Sequence, residues 1–197
     1  QLGMRTFFSA LDRSSFTRLR ALGFDRLKLP STISEHRDYL RWAAEQGVPE
    51  LVISTGMTDP TYEAFVLEVF ARQPRLFLLH CVSSYPTAPN ATNIAVVRHY
   101  RDLAMQHPQV VPGYSSHDVG SFGCALAVAA GARMIEKHVK IGSTSWAHFD
   151  DTALDVLHEL PDFVRTVRAA ERMCGSEQKQ VQAAEHHKYR LAGPHAD

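Results

Sequence analysis

Residues Val110 to His138 read VVPGYSSHDVGSFGCALAVAAGARMIEKH. The stretch opens on a β-branched apolar pair and runs into a polar end, Gly113-Tyr114-Ser115-Ser116-His117-Asp118. A short Ala-rich segment follows and stops at Gly131; Met134-Ile135 then begins a second apolar run with its own polar end, Glu136-Lys137-His138. Strand, helix and next strand make one βα unit of roughly 30 residues. The same alternation continues outward. Upstream, Thr6-Phe7-Phe8 precedes an amphipathic stretch from Ser14 to Leu22 that Gly23 ends, and Arg26 to Leu29 forms the next strand. Ser34 reads as the N-cap of a helix carrying Tyr39, Leu40 and Ala43, stopped by Gly47 before Leu51-Val52-Ile53. Phe65 to Phe70 and Ile94 to Met105 read as helices, each followed by a strand, at Leu76 to Leu79 and Val110-Val111; Phe163 to Cys174 is the last helix.

Six strand–helix cycles imply parallel strands joined by right-handed crossovers, with both sheet faces buried. The fold class is α/β. Units of this length, with no G-x-G-x-x-G turn after the first strand, favour a (β/α)8 TIM barrel over a dinucleotide-binding sheet. The 197 residues fall slightly short of the roughly 200 at which such barrels begin, so the barrel is expected to be incomplete, with about six βα units. The pattern fills residues 1–175. Residues 176–197, polar and carrying His186-His187 and Pro194, read as a tail or linker.

Composition narrows the function. Lys and Arg number 21 against 21 Asp and Glu, and no basic block offers an electrostatic footprint for nucleic acid. No apolar run approaches the ~20 residues of a membrane span, and Gln1-Leu2-Gly3-Met4-Arg5 lacks a signal-peptide pattern. Three cysteines, Cys81, Cys124 and Cys174, are odd in number and have no CxxC spacing, so neither a disulfide framework nor a zinc ribbon is implied, and the reading is cytoplasmic.

In parallel α/β folds the site is built where strands end and βα loops begin. The polar ends here are Lys28 to Ser31, Ser54 to Met57, His80 to Pro86, Gly113 to Asp118 and Glu136 to His138. Period-2 alternation puts Ser115 and His117 on one face and Tyr114 and Ser116 on the other, with Glu136 and His138 sharing a face on the next strand. Two histidines at matching heights on adjacent strands, roughly 4.8 Å apart, could share a divalent metal, or each could be an ordinary polar residue at a strand end. Lys28 could bind an anion, form a Schiff base or reach the surface. Ser31, Ser54, Ser83 and Ser115 recur at one level, a set of hydroxyls suited to phosphate. Cys81 reads as buried rather than reactive, and His36, His99, His107 and His158 as surface residues.

Taken in order, Leu27-Lys28, Ser54-Thr55-Gly56-Met57, His80-Cys81 with Tyr85-Pro86, Gly113-Tyr114-Ser115-Ser116-His117 and Ile135-Glu136-Lys137-His138 resemble the NeuB family of sialic acid synthases, from about Gly3 to Gly175. The resemblance implies condensation of phosphoenolpyruvate with N-acetylmannosamine or a related sugar, with Mn2+ or Mg2+ held by His117 and His138. It implies that Lys28, Ser31, Ser54 and Ser115 bind phosphoenolpyruvate, with Ser83 where Asn is usual, and that Tyr85 lines the sugar pocket. Glu136 joins His117, His138 and Lys28 as a catalytic candidate, and the full-length form is expected to be a homodimer. Three departures stand out. Ser115-Ser116-His117 replaces Ser-Asp-His, with Asp118 following; Ala10 stands where a Thr is usual; and Trp146-Ala147-His148-Phe149-Asp150 replaces Pro-Gly-Pro-Asp, so that Asp150 could restore the carboxylate. Family members begin with two more βα units and end with an antifreeze-like domain, so the chain is expected to be part of a longer polypeptide, or to receive its missing strands from a second chain. Two other readings are a Schiff-base aldolase using Lys28 or Lys137, and a non-catalytic barrel used for assembly or binding.

Overall fold

A computed structural model describes residues 6–144 and 146–185. Six strands carry the sheet: β1 (Phe8–Ser9), β2 (Arg26–Leu29), β3 (Glu50–Ser54), β4 (Arg75–Cys81), β5 (Val110–Ser116) and β6 (Met134–Lys137). The helices between and after them are α1 (Arg13–Ala21), α2 (Arg37–Ala44), α3 (Pro60–Val69), α4 (Ala95–Gln106), α5 (Phe122–Ala129) and α6 (Leu160–Cys174). The strands pair in chain order, β1 to β6, all parallel. That order, without reversal, is the order of a barrel wall rather than of a doubly wound sheet. The six strands form part of a (β/α)8 barrel wall; among the described residues the sheet does not close.

One contact shows that the sheet curls. The Lys28 ammonium on β2 meets the Glu136 carboxylate on β6 in an ion pair, although four inter-strand spacings of about 4.8 Å would hold them ~19 Å apart in a flat sheet.

The periodicity of the sequence places the elements well and their ends less so. Asp12 caps α1, accepting from the Ser15 N–H at 2.7 Å, and Gly23 leaves the helix at φ 86°, a conformation that favours glycine. Asp59 caps α3 with Pro60 in the first turn, so that helix starts well before the expected Phe65. Ser34 is not an N-cap. It ends a short 3-10 turn, Ser31–Ile33, and α2 starts at Arg37 behind His36, which supplies no side-chain cap. Two short strands carry no periodic signal in the sequence: β7 (Val139–Lys140) and β8 (Leu154–Asp155) pair in parallel as a separate ribbon.

Helices cover the outer face of the sheet. Leu27, Leu29, Leu51, Ile53, Leu76 and Leu78 are buried there against Phe16, Leu40, Tyr62, Val66 and Phe70. Each such side chain contributes about 1.5–3 kcal/mol by leaving water. A second outer cluster joins Tyr114 to Cys124, Ala127, Leu154 and Phe163. On the inner face a smaller apolar layer holds Val52, Phe77 and Leu79, with Phe7, Val111 and Met134 packed against it. Toward the amino ends of the strands that layer is bounded by Arg26, Glu50 and Arg75. Glu50 pairs with both arginines, and both guanidiniums lie over the Phe77 ring. Toward the carboxyl ends the inner face becomes polar.

Residues 176–185 contain no helix or strand and are exposed, while His186, His187 and Pro194 lie outside the described residues, as do residues 1–5. Among the described residues no helix is long and apolar enough to cross a membrane.

Candidate active site

The carboxyl ends of β2 to β6 enclose a cavity of about 580 Å3. Lys28, Ser31, Ser54, Ser83, Tyr85, Ser115, Glu136, His117 and His138, all expected at the site, line it. Alternation explains the convergence. The register Lys28↔Val52, Val52↔Phe77, Cys81↔Ser115 and Ser115↔Glu136 carries one face around the inner wall, so every second residue points inward.

Charge at the base of the cavity centres on Glu136. It accepts from the Lys28 ammonium and, at 2.9 Å, from the Ser115 hydroxyl. Lys28 is only 8% exposed, so the side chain does not reach the outer surface. Beside it, the Ser54 hydroxyl is buried without a hydrogen-bond partner among the described residues. A buried hydroxyl left unpaired is costly, which makes this one a donor held ready for an incoming acceptor. The Gly56 N–H donates to Ser31 Oγ at 2.9 Å, and a Cβ at Gly56 would collide with the hydroxyls of Ser31 and Ser83. Glycine there lets the backbone close onto the two serines. An ammonium, an orphaned hydroxyl and a hydroxyl-lined backbone turn together suit a small anion.

Across the cavity stand the imidazoles. His117 and His138 stack with centroids 5.3 Å apart, because each follows directly on a registered pair, Ser116↔Lys137. His117 Nδ1 donates to the Val82 carbonyl at 2.7 Å, which fixes the tautomer and leaves Nε2 with its lone pair free. Burial lowers the pKa of His117, and that of His138 falls to about 4 through burial and the neighbouring His117. Both rings are therefore neutral near pH 7, the form that ligates metal. The described residues contain no group of three or more His, Cys, Asp or Glu side chains placed to hold a metal. The two rings could give a divalent cation two nitrogen donors.

One expected residue lies elsewhere, and others join the site unannounced. Asp150 does not line the cavity; its carboxylate accepts from the Lys140 ammonium at 2.8 Å and from the Thr144 N–H and hydroxyl at 2.6 and 2.5 Å, clamping the loop after β7. The clamp instead brings in Phe149, stacked on His138 at 4.6 Å, and His148, edge-on to Tyr85 at 4.8 Å. Nothing in the pattern of Trp146 to Asp150 singles those two out. Tyr85 lies 4.1 Å from the His117 ring, so it faces the imidazoles as well as the cavity. Ser9, at the end of β1, also lines the cavity; the signal that points to it is the strand-end serine seen on the other strands. Cys81 is buried, as expected, with its sulfur 3.8 Å from His117 Nδ1.

A parallel barrel wall whose strand ends bring a lysine, a glutamate, four serines and two imidazoles to one cavity has its polar cluster where TIM-barrel enzymes build their sites. The chain belongs to the NeuB family, whose model matches residues 1–179. It is 32% identical over 182 residues to N-acetylneuraminate-9-phosphate synthase of Mus musculus, covering 92% of this chain and 49% of that protein. It is 31% identical over 184 residues to N,N'-diacetyllegionaminic acid synthase of Legionella pneumophila, covering 90% and 50%. The chain thus spans about half the length of these curated relatives. Among solved structures, the N-acetylneuraminic acid synthetase of Leptospira borgpetersenii superposes with a TM-score of 0.79 at 26% identity, covering 89% of this chain and 60% of that one.

Proposed function

We propose that this chain carries part of the active site of a synthase that condenses phosphoenolpyruvate with an N-acylated hexosamine, giving a nine-carbon 2-keto acid and phosphate. The observation that carries the reading is the orphaned Ser54 hydroxyl in the same cavity as the half-buried Lys28–Glu136 pair: an anion-binding corner facing two neutral imidazoles in a family whose named relatives are acid synthases.

Lys28, Ser54 and the Ser31–Gly56–Ser83 turn hold the phosphate and carboxylate of phosphoenolpyruvate and keep its C3 turned toward the imidazole side. His117 and His138 would hold a divalent cation, which would supply Lewis-acid polarisation of the acceptor's aldehyde. C3 attacks the open-chain aldehyde carbon; the new C–C bond leaves an oxygen that takes a proton to become a hydroxyl, and positive charge at C2. Glu136 stabilises that charge at short range. Water adds at C2 and gives up one proton, leaving a C2 hydroxyl; that hydroxyl loses its proton as the C2–O bond to phosphate breaks, giving the ketone and hydrogen phosphate. Tyr85, His148 and Phe149 border the acceptor side. The Lys28 ion pair suits neutralisation of substrate charge rather than imine formation.

The test is phosphate release from phosphoenolpyruvate with Mn2+ and N-acetylmannosamine, its 6-phosphate and other N-acylated hexosamines, on the purified polypeptide containing this chain. A nine-carbon acid in the product mass spectrum is the expected result. Phosphate release with none of the acceptors, or capture of a lysine adduct by borohydride, overturns the reading.

A further inference from the structure

Behind the imidazoles, on the outer face of β5 and β6, lies a polar cluster for which the chemistry above has no use. One oxygen of the Asp118 carboxylate accepts from the Tyr114 hydroxyl at 2.8 Å and from the Ser116 hydroxyl at 2.6 Å. The Lys137 ammonium donates to Ser116 Oγ at 2.9 Å and to the main-chain carbonyl of Asp118. Asp118 is 8% exposed, and its other oxygen rests against Gly123 in the first turn of α5, where a Cβ would strike it. Helix and carboxylate are thus fitted to each other. Tyr114, the anchor of the cluster, is itself packed among Cys124, Ala127 and Phe163. Buried charge in such a place is a poor source of stability, since apolar residues of the same volume serve as well or better. A role in placement explains it.

The location of the cluster supplies that role. Ser116 and Asp118 flank His117, and Lys137 immediately precedes His138. Ser116 and Lys137 are also registered partners across the two strands. The Lys137–Ser116 hydrogen bond therefore ties together, from outside, the two backbones from which the imidazoles leave on the inside. Asp118 holds Ser116 from the other side and fixes the chain just beyond His117. His117 is otherwise anchored through Nδ1 to the Val82 carbonyl, and no comparable side-chain hydrogen bond anchors His138 among the described residues, so its placement depends more on its strand.

We propose that Asp118, acting through Ser116 and Lys137, is a positioning residue for the His117–His138 pair and sets the separation at which both rings meet one divalent cation. The inference rests on the metal reading above. Its test is titration of the purified protein with Mn2+, counting the free ion by its electron paramagnetic resonance signal, with thermal melting recorded separately. Outer-shell partners of metal ligands typically alter affinity by roughly 10- to 100-fold, and Asp118→Ala is expected to weaken Mn2+ binding within that range. Asp118→Asn, which still accepts from Tyr114 and Ser116, is expected to recover most of the affinity. A lower melting temperature for Asp118→Ala with Mn2+ affinity unchanged assigns the cluster to stability alone and overturns the proposal. If Asp118→Ala does not fold, Ser116→Ala, which removes the bridge between Lys137 and the carboxylate, carries the same expectation and overturns the proposal by the same result. Wild-type protein that binds no Mn2+ overturns the metal reading and this inference together, whereas wild-type binding with unaltered variants overturns the inference alone.

Discussion

His117 and His138 face each other with their ring planes inclined by 22°. The relationship follows from strand register, one residue beyond Ser116↔Lys137, and leaves His138 between the His117 ring and the Phe149 ring, 4.6 Å away. The two flanking rings hold the orientation of an imidazole that has no side-chain hydrogen bond among the described residues.

Removing either imidazole leaves a single protein donor. His117→Ala and His138→Ala are each expected to lose bound Mn2+ on dialysis, by more than the roughly 10- to 100-fold that outer-shell changes cause, and to lose turnover. Metal analysis beside an activity assay checks this; unchanged metal content in either variant refutes the ligand assignment.

Ser54→Ala separates binding from folding. Its hydroxyl has no hydrogen-bond partner among the described residues, so the urea midpoint is expected to stay or rise slightly. A hydrogen bond to a charged group contributes about 1.5–3 kcal/mol, so KM for phosphoenolpyruvate should rise roughly 10- to 100-fold. An unaltered KM with a lowered midpoint argues that the hydroxyl serves the fold.

Asp150→Ala releases the loop that carries His148 and Phe149. Its carboxyl is held down to about 2 by the Lys140 ammonium and the Thr144 donors, against an ordinary value of 3.8. With the folded value depressed, the clamp contributes fully above the unfolded value and is lost as pH falls from about 4 through about 2. Proteolytic cleavage within residues 141–152 is expected to be slow in wild-type protein at neutral pH and fast in Asp150→Ala at the same pH. KM for the acceptor should rise more than kcat falls; equal cleavage of the two proteins contradicts the clamp.

His80 offers a pH signature away from the cavity. Its Nε2–H donates to the Thr92 carbonyl at 2.8 Å, and burial lowers its pKa below the ordinary 6.5. The unfolded chain takes up the proton first, so stability is present above pH 6.5 and declines as pH falls below it, at no more than ~1.4 kcal/mol per pH unit for one proton. His80→Gln, which keeps a donor without titrating, should show a shallower decline between pH 7 and 5 in urea denaturation. Parallel profiles for the two proteins would rule His80 out as a contributor.

The strands are legible because β-branched and apolar runs ending in Ser, Lys or His recur at the spacing of a βα unit, and alternation pairs Ser115 with His117 and Glu136 with His138, each pair on one face of its own strand; the register Ser115↔Glu136 brings the two pairs together. Contacts that arise only from curvature are not legible. Lys28 and Glu136 are separated by 108 residues and four strand spacings, and no local pattern announces that they touch. Asp150 departs from expectation for a related reason: its partners Lys140 and Thr144 are close in sequence, but the loop has no periodicity from which direction can be inferred. Ser34 has the chemistry of a cap, yet the turn after Pro30 takes up the residues where the helix would have begun.

The apolar layer of Val52, Phe77 and Leu79 sits between two charged ends of the same inner wall, Arg26–Glu50–Arg75 on one side and Lys28–Glu136 on the other. It acts as an insulating plate. Val52 and Leu79 are fully buried and Phe77 nearly so, so an apolar layer of low dielectric lies between the two charged ends. Side chains at the mouth can therefore be exchanged for others, altering what is bound there, while the charges that hold the opposite end of the wall together go undisturbed.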